Sequence, residues 1–275
     1  IMCINPDSVR SSDLQKIANH IRFKIIELSH TAKSAHLGSC LSCVDILVSL
    51  YYHALNIDPA KYRAAERDIF ILSKGHAAMG LYAVLAKRGF FSEEFLNTLN
   101  IDGGLLSEHP PARGVPGVEA ATGSLGHGLS LACGQALALK MKKQKNKVFC
   151  LISDGEVNEG AIWEAAMFAS ANSLDNLIVF LDWNKWQATQ RSDDVLNTTN
   201  HSDKWLAFGW DVEFIDGHDF EEILSATKNP SGKPKLIIAD TVKGRGVTFM
   251  EDDNNWHYRI PTSAEVFAAK LELAV

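Results

Sequence analysis

Two polar clusters about thirty residues apart in the sequence have the residue types of a magnesium site. Asp154 and Gly155 come just after the apolar run 148–152, and Asn184 comes just after the apolar run 177–181. One carboxylate and one amide oxygen are too few for Ca²⁺, which binds six to eight oxygens. They suit Mg²⁺, which keeps water ligands and takes others from phosphate groups. Because Gly155 would let the backbone approach a phosphate closely, the stretch 153–187 predicts a metal-diphosphate site.

A strand–helix–strand unit must position these side chains. The runs 148–152 and 177–181 have the character of buried strands. Residues 161–171 contain strong helix formers and neither Gly nor Pro. The spacing is that of one βαβ crossover, which joins parallel strands. Since ligands bind beyond the carboxyl ends of such strands, we expect Asp154 and Asn184 to lie side by side.

The rest of the chain alternates between strand-like and helix-like segments. Further strands are predicted at residues 68–72, 210–215 and 235–240. Helices are predicted at residues 13–33 with Asp13 as the cap, and at 44–55, 77–87, 126–143, 204–209 and 219–228. The Gly- and Pro-rich segment 101–122 has the length of a functional loop, and the tail beyond residue 241 is weakly patterned. This alternation predicts one α/β domain over residues 1–275, with a doubly wound, mainly parallel sheet.

Composition excludes several classes of function. The 275 residues are 46% hydrophobic, and the net charge of −6 without a basic tract argues against nucleic-acid binding. No apolar run approaches the ~20 residues of a membrane span, and the first residues lack a signal-peptide pattern. Five cysteines, an odd number, suggest reduced thiols in the cytoplasm. We therefore expect a cytoplasmic protein that binds neither nucleic acid nor membranes.

The metal-diphosphate stretch resembles a known cofactor signature. An Asp-Gly pair after a strand, followed by Asn about thirty residues later, is similar to the thiamine-diphosphate signature usually written GDG…NN. The surrounding residues resemble transketolase, specifically the separately encoded N-terminal subunit of a split transketolase. Ser153 stands in place of the first Gly of the signature, and Trp183 in place of the first Asn. The resemblance implies a thiamine-diphosphate-binding fold, with Mg²⁺ held by Asp154, Asn184 and the backbone carbonyl of Trp186.

The resemblance also implies roles for other residues. His36 would assist proton transfer at the substrate, and His109 would lie beside the substrate hydroxyls. His257 would contact both diphosphate and substrate, and Glu159, grouped with the catalytic residues, would lie near the subunit interface. Besides Asp154, Asn184 and His257, the implied cofactor-binding residues are His76, Gly123, Ser124, Leu125 and Gly155. Imidazole suits the movement of sugar hydroxyl protons, because histidine titrates near neutral pH.

Three features stay open at the level of sequence. His127 stands where the family commonly has Gln, and His218 lies in a Gly-His-Asp segment typical of a turn. Cys40 and Cys43 form a C-x-x-C pair, but no second pair at similar spacing completes a zinc site. We interpret this pair as part of a buried helix, with a redox pair as the alternative.

The implied activity is the transfer of a two-carbon ketol unit from a ketose phosphate to an aldose phosphate. In the family, a second domain supplies the glutamate that activates the cofactor and the arginines that bind the sugar phosphate. No stretch here matches them, so we expect a C-terminal, pyrimidine-binding partner subunit in an α2β2 assembly. Two alternatives remain: the alpha-type chain of a 2-oxo acid dehydrogenase, and a catalytically inactive, transketolase-like interaction protein.

Overall fold

A five-stranded, all-parallel sheet forms the centre of the computed structural model, which describes residues 11–196, 200–228 and 231–275. The strands lie in the order β1-β2-β3-β5-β4. Their bounds are β1 Ile69–Leu72, β2 Val148–Ser153, β3 Leu177–Trp183, β4 Asp211–Asp216 and β5 Lys235–Asp240. β2 and β3 are direct neighbours, with Ser153 opposite Asp182, so the prediction that Asp154 and Asn184 follow adjacent strands is confirmed.

Ten α-helices surround the sheet within the described residues. Their bounds are α1 Ser11–Ala32, α2 Leu37–Ser42, α3 Val44–Ser49, α4 Ala78–Arg88, α5 His127–Met141, α6 Gly160–Ala171, α7 Ser192–Val195, α8 His201–Ala207, α9 Phe220–Ala226 and α10 Ser263–Glu272. Short 3₁₀ turns at Gly75–Ala77, Gly155–Asn158 and Asn254–His257 lie between the main elements. None of the helices in the described ranges is both long and apolar enough to cross a bilayer.

Each face of the sheet carries its own hydrophobic core. Along β2, Phe149 and Leu151 face the helices α1–α4, α9 and α10, whereas Cys150 and Ile152 face α5, α6 and α8. Strands buried on both faces read as continuous apolar runs rather than alternating ones, which is why the runs of the central strands could be recognised. The predicted α/β fold with a doubly wound parallel sheet is confirmed.

Three local predictions differ from the structure. Helix α1 begins at Ser11, so Asp13 lies in its first turn instead of at its cap, where a carboxylate still faces the positive end of the helix dipole. The predicted helix 44–55 changes to a π-helix at Leu50–Ala54. The weakly patterned tail contains α10, which begins with a capping box between Thr262 and Glu265.

The carboxyl ends of four strands converge on one edge of the sheet. β1 leads to Lys74 and His76, β2 to Asp154, β3 to Asn184, and β5 to the turn that contains Lys243. This is the edge at which parallel α/β sheets bind ligands. The long segment 101–126 contains no helix or strand and brings His109 and Gly123 to the same edge.

Candidate active site

A cavity of about 500 Å³ lies at this edge of the sheet. It is lined by every residue that the sequence indicated for catalysis, cofactor binding or metal binding, apart from Ser124. The lining residues are His36, Ser39, His76, His109, Gly123, Leu125, Ser153, Asp154, Gly155, Asn158, Glu159, Asn184, Trp186, Gln187, Ala188, Val195, Leu196 and His257. The volume falls in the range typical of small-molecule and cofactor sites.

Asp154 lies at the floor of the cavity as a buried carboxylate. It is 2% exposed, and its Oδ2 accepts a hydrogen bond of 2.9 Å from Ser192 Oγ. Burial, together with the nearby charge of Asp182, raises the pKa of Asp154 to about 7. In the described part of the chain no ion pair reaches this carboxylate. A buried acid without an ion-pair partner in contact is a group that a bound cation would stabilise.

A second buried carboxylate orients the amide of Asn184. Asp182 forms a fully buried ion pair with Lys74, and it also accepts hydrogen bonds from Ser42 Oγ at 2.7 Å and Thr241 Oγ1 at 2.5 Å. Burial opposes its ionisation, but Lys74 and these donors more than offset this, so the pKa of Asp182 is lowered. Asn184 Nδ2 lies 3.4 Å from Asp182 Oδ2. The amide oxygen of Asn184 is therefore left to accept a hydrogen bond from Trp186 N at 3.1 Å and to coordinate a cation.

The donor set fits a magnesium ion and a diphosphate. No group of three or more His, Cys, Asp or Glu able to hold a metal exists in the ranges described, so the site is unlike a zinc centre. Asp154 and Asn184 supply hard oxygens, as Mg²⁺ requires. Two buried polar atoms of the cavity walls, Gln187 Nε2 and Asn158 Oδ1, lack hydrogen-bond partners. Such atoms are satisfied when a polar ligand enters.

Four histidines surround the upper part of the cavity. The ring centroid of His36 lies 4.8 Å from that of His257, 5.4 Å from that of His76 and 6.3 Å from that of His109. His36 has φ of 66°, a left-handed backbone conformation that is uncommon outside glycine. Its N–H donates to the carbonyl oxygen of His257 at 2.7 Å. Strain of this kind persists where the surrounding structure holds it, often at functional sites.

A chain of hydrogen bonds fixes the tautomer of His36. Lys243 Nζ lies 3.1 Å from His257 Nδ1, and His257 Nε2 lies 3.2 Å from His36 Nδ1. An ammonium group has no acceptor, so Lys243 donates and His257 carries its proton on Nε2. That proton is donated to His36 Nδ1, which leaves the proton of neutral His36 on Nε2. The ring can then donate a hydrogen bond to a substrate oxygen through Nε2.

Burial keeps these groups close to their neutral forms. Loss of solvation lowers the pKa of His36, lowers that of His76 well below its usual value, and, with the nearby Lys243 charge, lowers that of His257 to about 3. Burial also lowers the pKa of Lys243 to about 8, although Asp154 opposes the shift. At pH 7 the imidazoles of His36, His76 and His257 are neutral and Lys243 is mainly charged, as the hydrogen-bond chain requires.

This burial predicts a pH-dependent stability. An unfolded histidine binds a proton near pH 6.5, whereas folded His257 does not until about pH 3. The stability that the folded state gains with neutral His257 is fully present above pH 6.5 and is lost as the pH falls towards 3. Because of this titration, wild type should lose unfolding free energy between pH 7 and pH 5. We expect His257→Gln to lose about 1–2 kcal/mol less over the same range. Urea denaturation at both pH values measures this.

Asp154 has a raised pKa, so its protonation stabilises the folded state as the pH falls and partly masks the effect of His257. The difference between variant and wild type isolates the effect of His257. His30→Gln is the control, since His30 bonds Pro261 O outside the cavity. Equal pH slopes for His257→Gln and wild type would contradict the assignment.

Sequence reasoning missed several residues of the site. Lys243 lies in a Lys-Gly-Arg-Gly turn, and its position after a strand was the available signal. Ser39 and Gln187 lie beside residues that were recognised and also line the cavity. Ser124, which was implied as a cofactor contact, is exposed and not among the lining residues.

Both departures from the cofactor signature fit the structure. The backbone N–H of Ser153 donates to buried Glu156 Oε2 at 2.9 Å, and Glu156 Oε1 accepts from Gly126 N at 2.9 Å. The ring of Trp183 packs edge-on against His201, with 4.5 Å between centroids. Ser153 and Trp183 each precede a residue of the signature, and both Asp154 and Asn184 are retained.

The features left open by the sequence have distinct places. Cys40 and Cys43 are free, fully buried thiols whose pKa burial raises to about 12, so they lack the thiolate character of a redox pair. His127 is exposed at the start of α5 and does not line the cavity. His218 bonds to Asp45 and to the backbone of the turn that contains Lys243.

Comparison with known proteins gives a consistent result. Residues 13–274 match the family model described as "Transketolase, thiamine diphosphate binding domain". The chain is 39% identical to one subunit of the apulose-4-phosphate transketolase of Phocaeicola vulgatus, over 97% of this chain and 95% of that protein. It is 44% identical to the 6-deoxy-6-sulfo-D-fructose transketolase subunit SqwG of a Clostridium species, over 89% of this chain and 90% of that protein.

Among solved structures, the transketolase of Campylobacter jejuni superposes with a TM-score of 0.91 at 33% sequence identity. The match covers 96% of this chain but 43% of that one. The chain thus spans nearly all of the subunit-type relatives and less than half of an undivided transketolase.

Proposed function

This chain belongs to the transketolase family, and we propose that it is the N-terminal-type subunit of a two-subunit transketolase dependent on thiamine diphosphate and Mg²⁺. The reaction is the transfer of a two-carbon ketol unit from a ketose phosphate to an aldose phosphate. The observation that carries the proposal is the single cavity that joins Asp154 and Asn184 to four histidines. The names of the relatives support a subunit rather than an undivided enzyme.

The lower part of the cavity holds the cofactor in this proposal. Asp154, Asn184 and the carbonyl oxygen of Trp186 bind Mg²⁺, and Gly155, His76, Lys243 and His257 contact the diphosphate. Gly123 and Leu125 pack on the cofactor from the long loop, whereas Ser124 lies outside the cavity. Thiamine diphosphate, when bound, supplies the carbon nucleophile of the reaction. The buried carboxylate and the cationic Lys243 support this assignment, because together they match a divalent cation and an anion.

The upper part of the cavity serves the sugar. His36 carries its proton on Nε2 and donates it to a substrate oxygen, as a general acid does, while His36 Nδ1 receives the proton held by His257 Nε2. His109 binds the sugar hydroxyls, and His257 links the two ends of the cavity through its bonds to Lys243 and His36. Glu159 is exposed at the rim, where it can face a neighbouring subunit.

A partner subunit completes the site in this proposal. Among the described residues that line the cavity, none matches the activating glutamate of the family or its phosphate-binding arginines. On α5 and α6, two helices that pack against each other, Leu131, Met167 and Phe168 are each 44–49% exposed, and α6 begins directly after Glu159. Exposed apolar surface of this kind is typical of obligate interfaces. We assign the partner as a C-terminal, pyrimidine-binding subunit in an α2β2 assembly.

The location and the alternatives follow from the same features. Four cysteines of the described ranges are free thiols, which supports a reducing, cytoplasmic compartment. The subunit relatives are named transketolases, which favours this reaction over that of a 2-oxo acid dehydrogenase. A catalytically inactive interaction protein is opposed by the intact arrangement of Asp154, Asn184 and the histidines.

The test is reconstitution of activity from two polypeptides. The chain alone is expected to bind thiamine diphosphate weakly and to show no ketol transfer, because it supplies one wall of the site. Addition of the C-terminal-type subunit should restore transfer on a panel of ketose and aldose phosphates and shift the mass to that of a heterotetramer. Turnover and light scattering measure these outcomes.

Leu131→Glu, with exposed Lys142→Glu at the end of the same helix as control, tests the apolar surface. The first change should prevent assembly, and the control should not. A catalytically competent assembly of this chain without a second polypeptide would overturn the proposal of a two-subunit enzyme.

A further inference from the structure

Three charged or polar side chains form a buried cluster between α1, α3 and the turn after β5. Arg22 of α1 and Asp45 of α3 are 1% and 2% exposed. Asp45 Oδ2 accepts from an Arg22 guanidinium nitrogen at 2.5 Å and from His218 Nδ1 at 2.7 Å. None of the three lines the cavity, and the sequence patterns that indicated the active site include none of them.

The cluster holds the turn after β5 at two points. The backbone N–H of Val242 donates to His218 Nε2 at 2.9 Å, and Arg22 Nε donates to the carbonyl oxygen of Arg245 at 3.0 Å. Because Nε2 of His218 accepts, its proton is on Nδ1 and is donated to Asp45. Asp45 therefore fixes both ends of the segment 242–245, one end through His218 and the other through Arg22.

The turn also lies directly on the Arg22 side chain. A Cβ added to Gly246, whose φ is 97°, would come within 2.6 Å of Arg22 Cδ. No side chain fits at that position unless the turn lifts away from Arg22. The two hydrogen bonds and this contact together fix the position of the turn relative to α1 and α3.

Lys243 is the functional residue of that turn. Its side chain passes Gly38, where an added Cβ would lie 3.0 Å from Lys243 Cγ. Its ammonium group lies 2.7 Å from Asn254 Oδ1 and 3.1 Å from His257 Nδ1. A lysine side chain has four flexible carbons and loses much rotamer freedom when it is held. When the backbone of the turn is already fixed, less conformational entropy is lost in holding the ammonium group in place.

We propose that Arg22, Asp45 and His218 are positioning residues that hold Lys243 where it meets the cofactor diphosphate, an inference that rests on the proposed function. A buried ion pair contributes little to stability compared with a well-packed apolar substitute, but it can specify one geometry. This cluster specifies the geometry of the turn. Its loss weakens cofactor binding beyond any loss of stability.

His218→Leu tests the cluster with the full chain assembled with its partner subunit. The change removes the acceptor of Val242 N–H and the donor to Asp45. Calorimetric titration with thiamine diphosphate and Mg²⁺ should show an affinity loss of roughly tenfold, the scale of one buried hydrogen bond. Turnover at saturating cofactor should fall by less than the affinity does. His218→Gln, which can both accept and donate, should restore most of the affinity.

His30→Leu is the matched control. It removes an imidazole of α1 that bonds the backbone carbonyl of Pro261 at 2.7 Å, and urea denaturation shows whether both variants lose comparable stability. Unchanged affinity in His218→Leu, or an equal affinity loss in His30→Leu, would overturn the positioning role. Lys243→Met separates the two proposals, because it should weaken binding even if His218→Leu does not. Failure of the wild-type assembly to bind Mg²⁺ and thiamine diphosphate would contradict the proposed function itself.

Discussion

Asp154→Asn is expected to abolish Mg²⁺-dependent binding of thiamine diphosphate while the chain remains folded. Asp154 supplies the one charged side-chain ligand of the proposed metal site, and a neutral amide is a poor substitute for a hard carboxylate. Calorimetric titration of the assembled enzyme with cofactor, with and without Mg²⁺, measures the loss. Asp175→Asn is a suitable control, because Asp175 pairs with Lys140 on the surface.

The same substitution should stabilise the chain without its ligands. Burial raises the pKa of Asp154 to about 7, so ionisation is penalised in the folded state above its unfolded pKa near 4. The penalty grows from about pH 4 to pH 7 and disappears in the amide. We expect Asp154→Asn to gain about 1–3 kcal/mol of unfolding free energy at pH 7. Full cofactor affinity in this variant would refute the site assignment, and a stability loss would refute the electrostatic argument.

Alanine at His36 or His109 is expected to lower turnover by roughly 10²–10⁴-fold, the usual scale for general acid–base groups. Cofactor affinity should change little, since both rings belong to the substrate end of the cavity in the proposed arrangement. Steady-state assays of the assembled enzyme at saturating thiamine diphosphate, combined with cofactor titrations, separate the two effects.

His127→Ala controls for the loss of an imidazole near the same loop, because His127 is exposed and does not line the cavity. It should retain turnover. If both His36→Ala and His109→Ala lost cofactor binding as well as turnover, their assignment to the sugar would be wrong.

The strands, and the placement of Asp154 and Asn184 after adjacent strands, were predictable because their signals are local. A strand buried on both faces is a continuous apolar run, and the polar residue after it marks the ligand-binding edge. Asp154 and Asn184 needed nothing more. The histidines were predictable in a different way, through family motifs, since an isolated His in a glycine-rich turn has no periodicity to indicate its role.

The remaining features depend on contacts between distant segments. The ion pair of Lys74 with Asp182 joins the end of β1 to β3, and no local pattern distinguishes it from two exposed charges. The role of Lys243 depends on α1 and α3, which hold its turn from behind. The order of β5 and β4 in the sheet is likewise a matter of packing. By contrast, α10 had a local signal in its Thr262–Glu265 capping box that periodicity alone did not reveal.

The hydrogen bond between His36 and His257 joins residues 221 positions apart, and this separation sets the order in which the site can be made. A polypeptide is synthesised from its N-terminus, so His36, His76 and Asp154 leave the ribosome well before Lys243 and His257. Contacts over such separations also form late in folding, because long loops must close first. In a growing chain the residues that line the cavity are therefore complete only after the turn that contains His257 has been made.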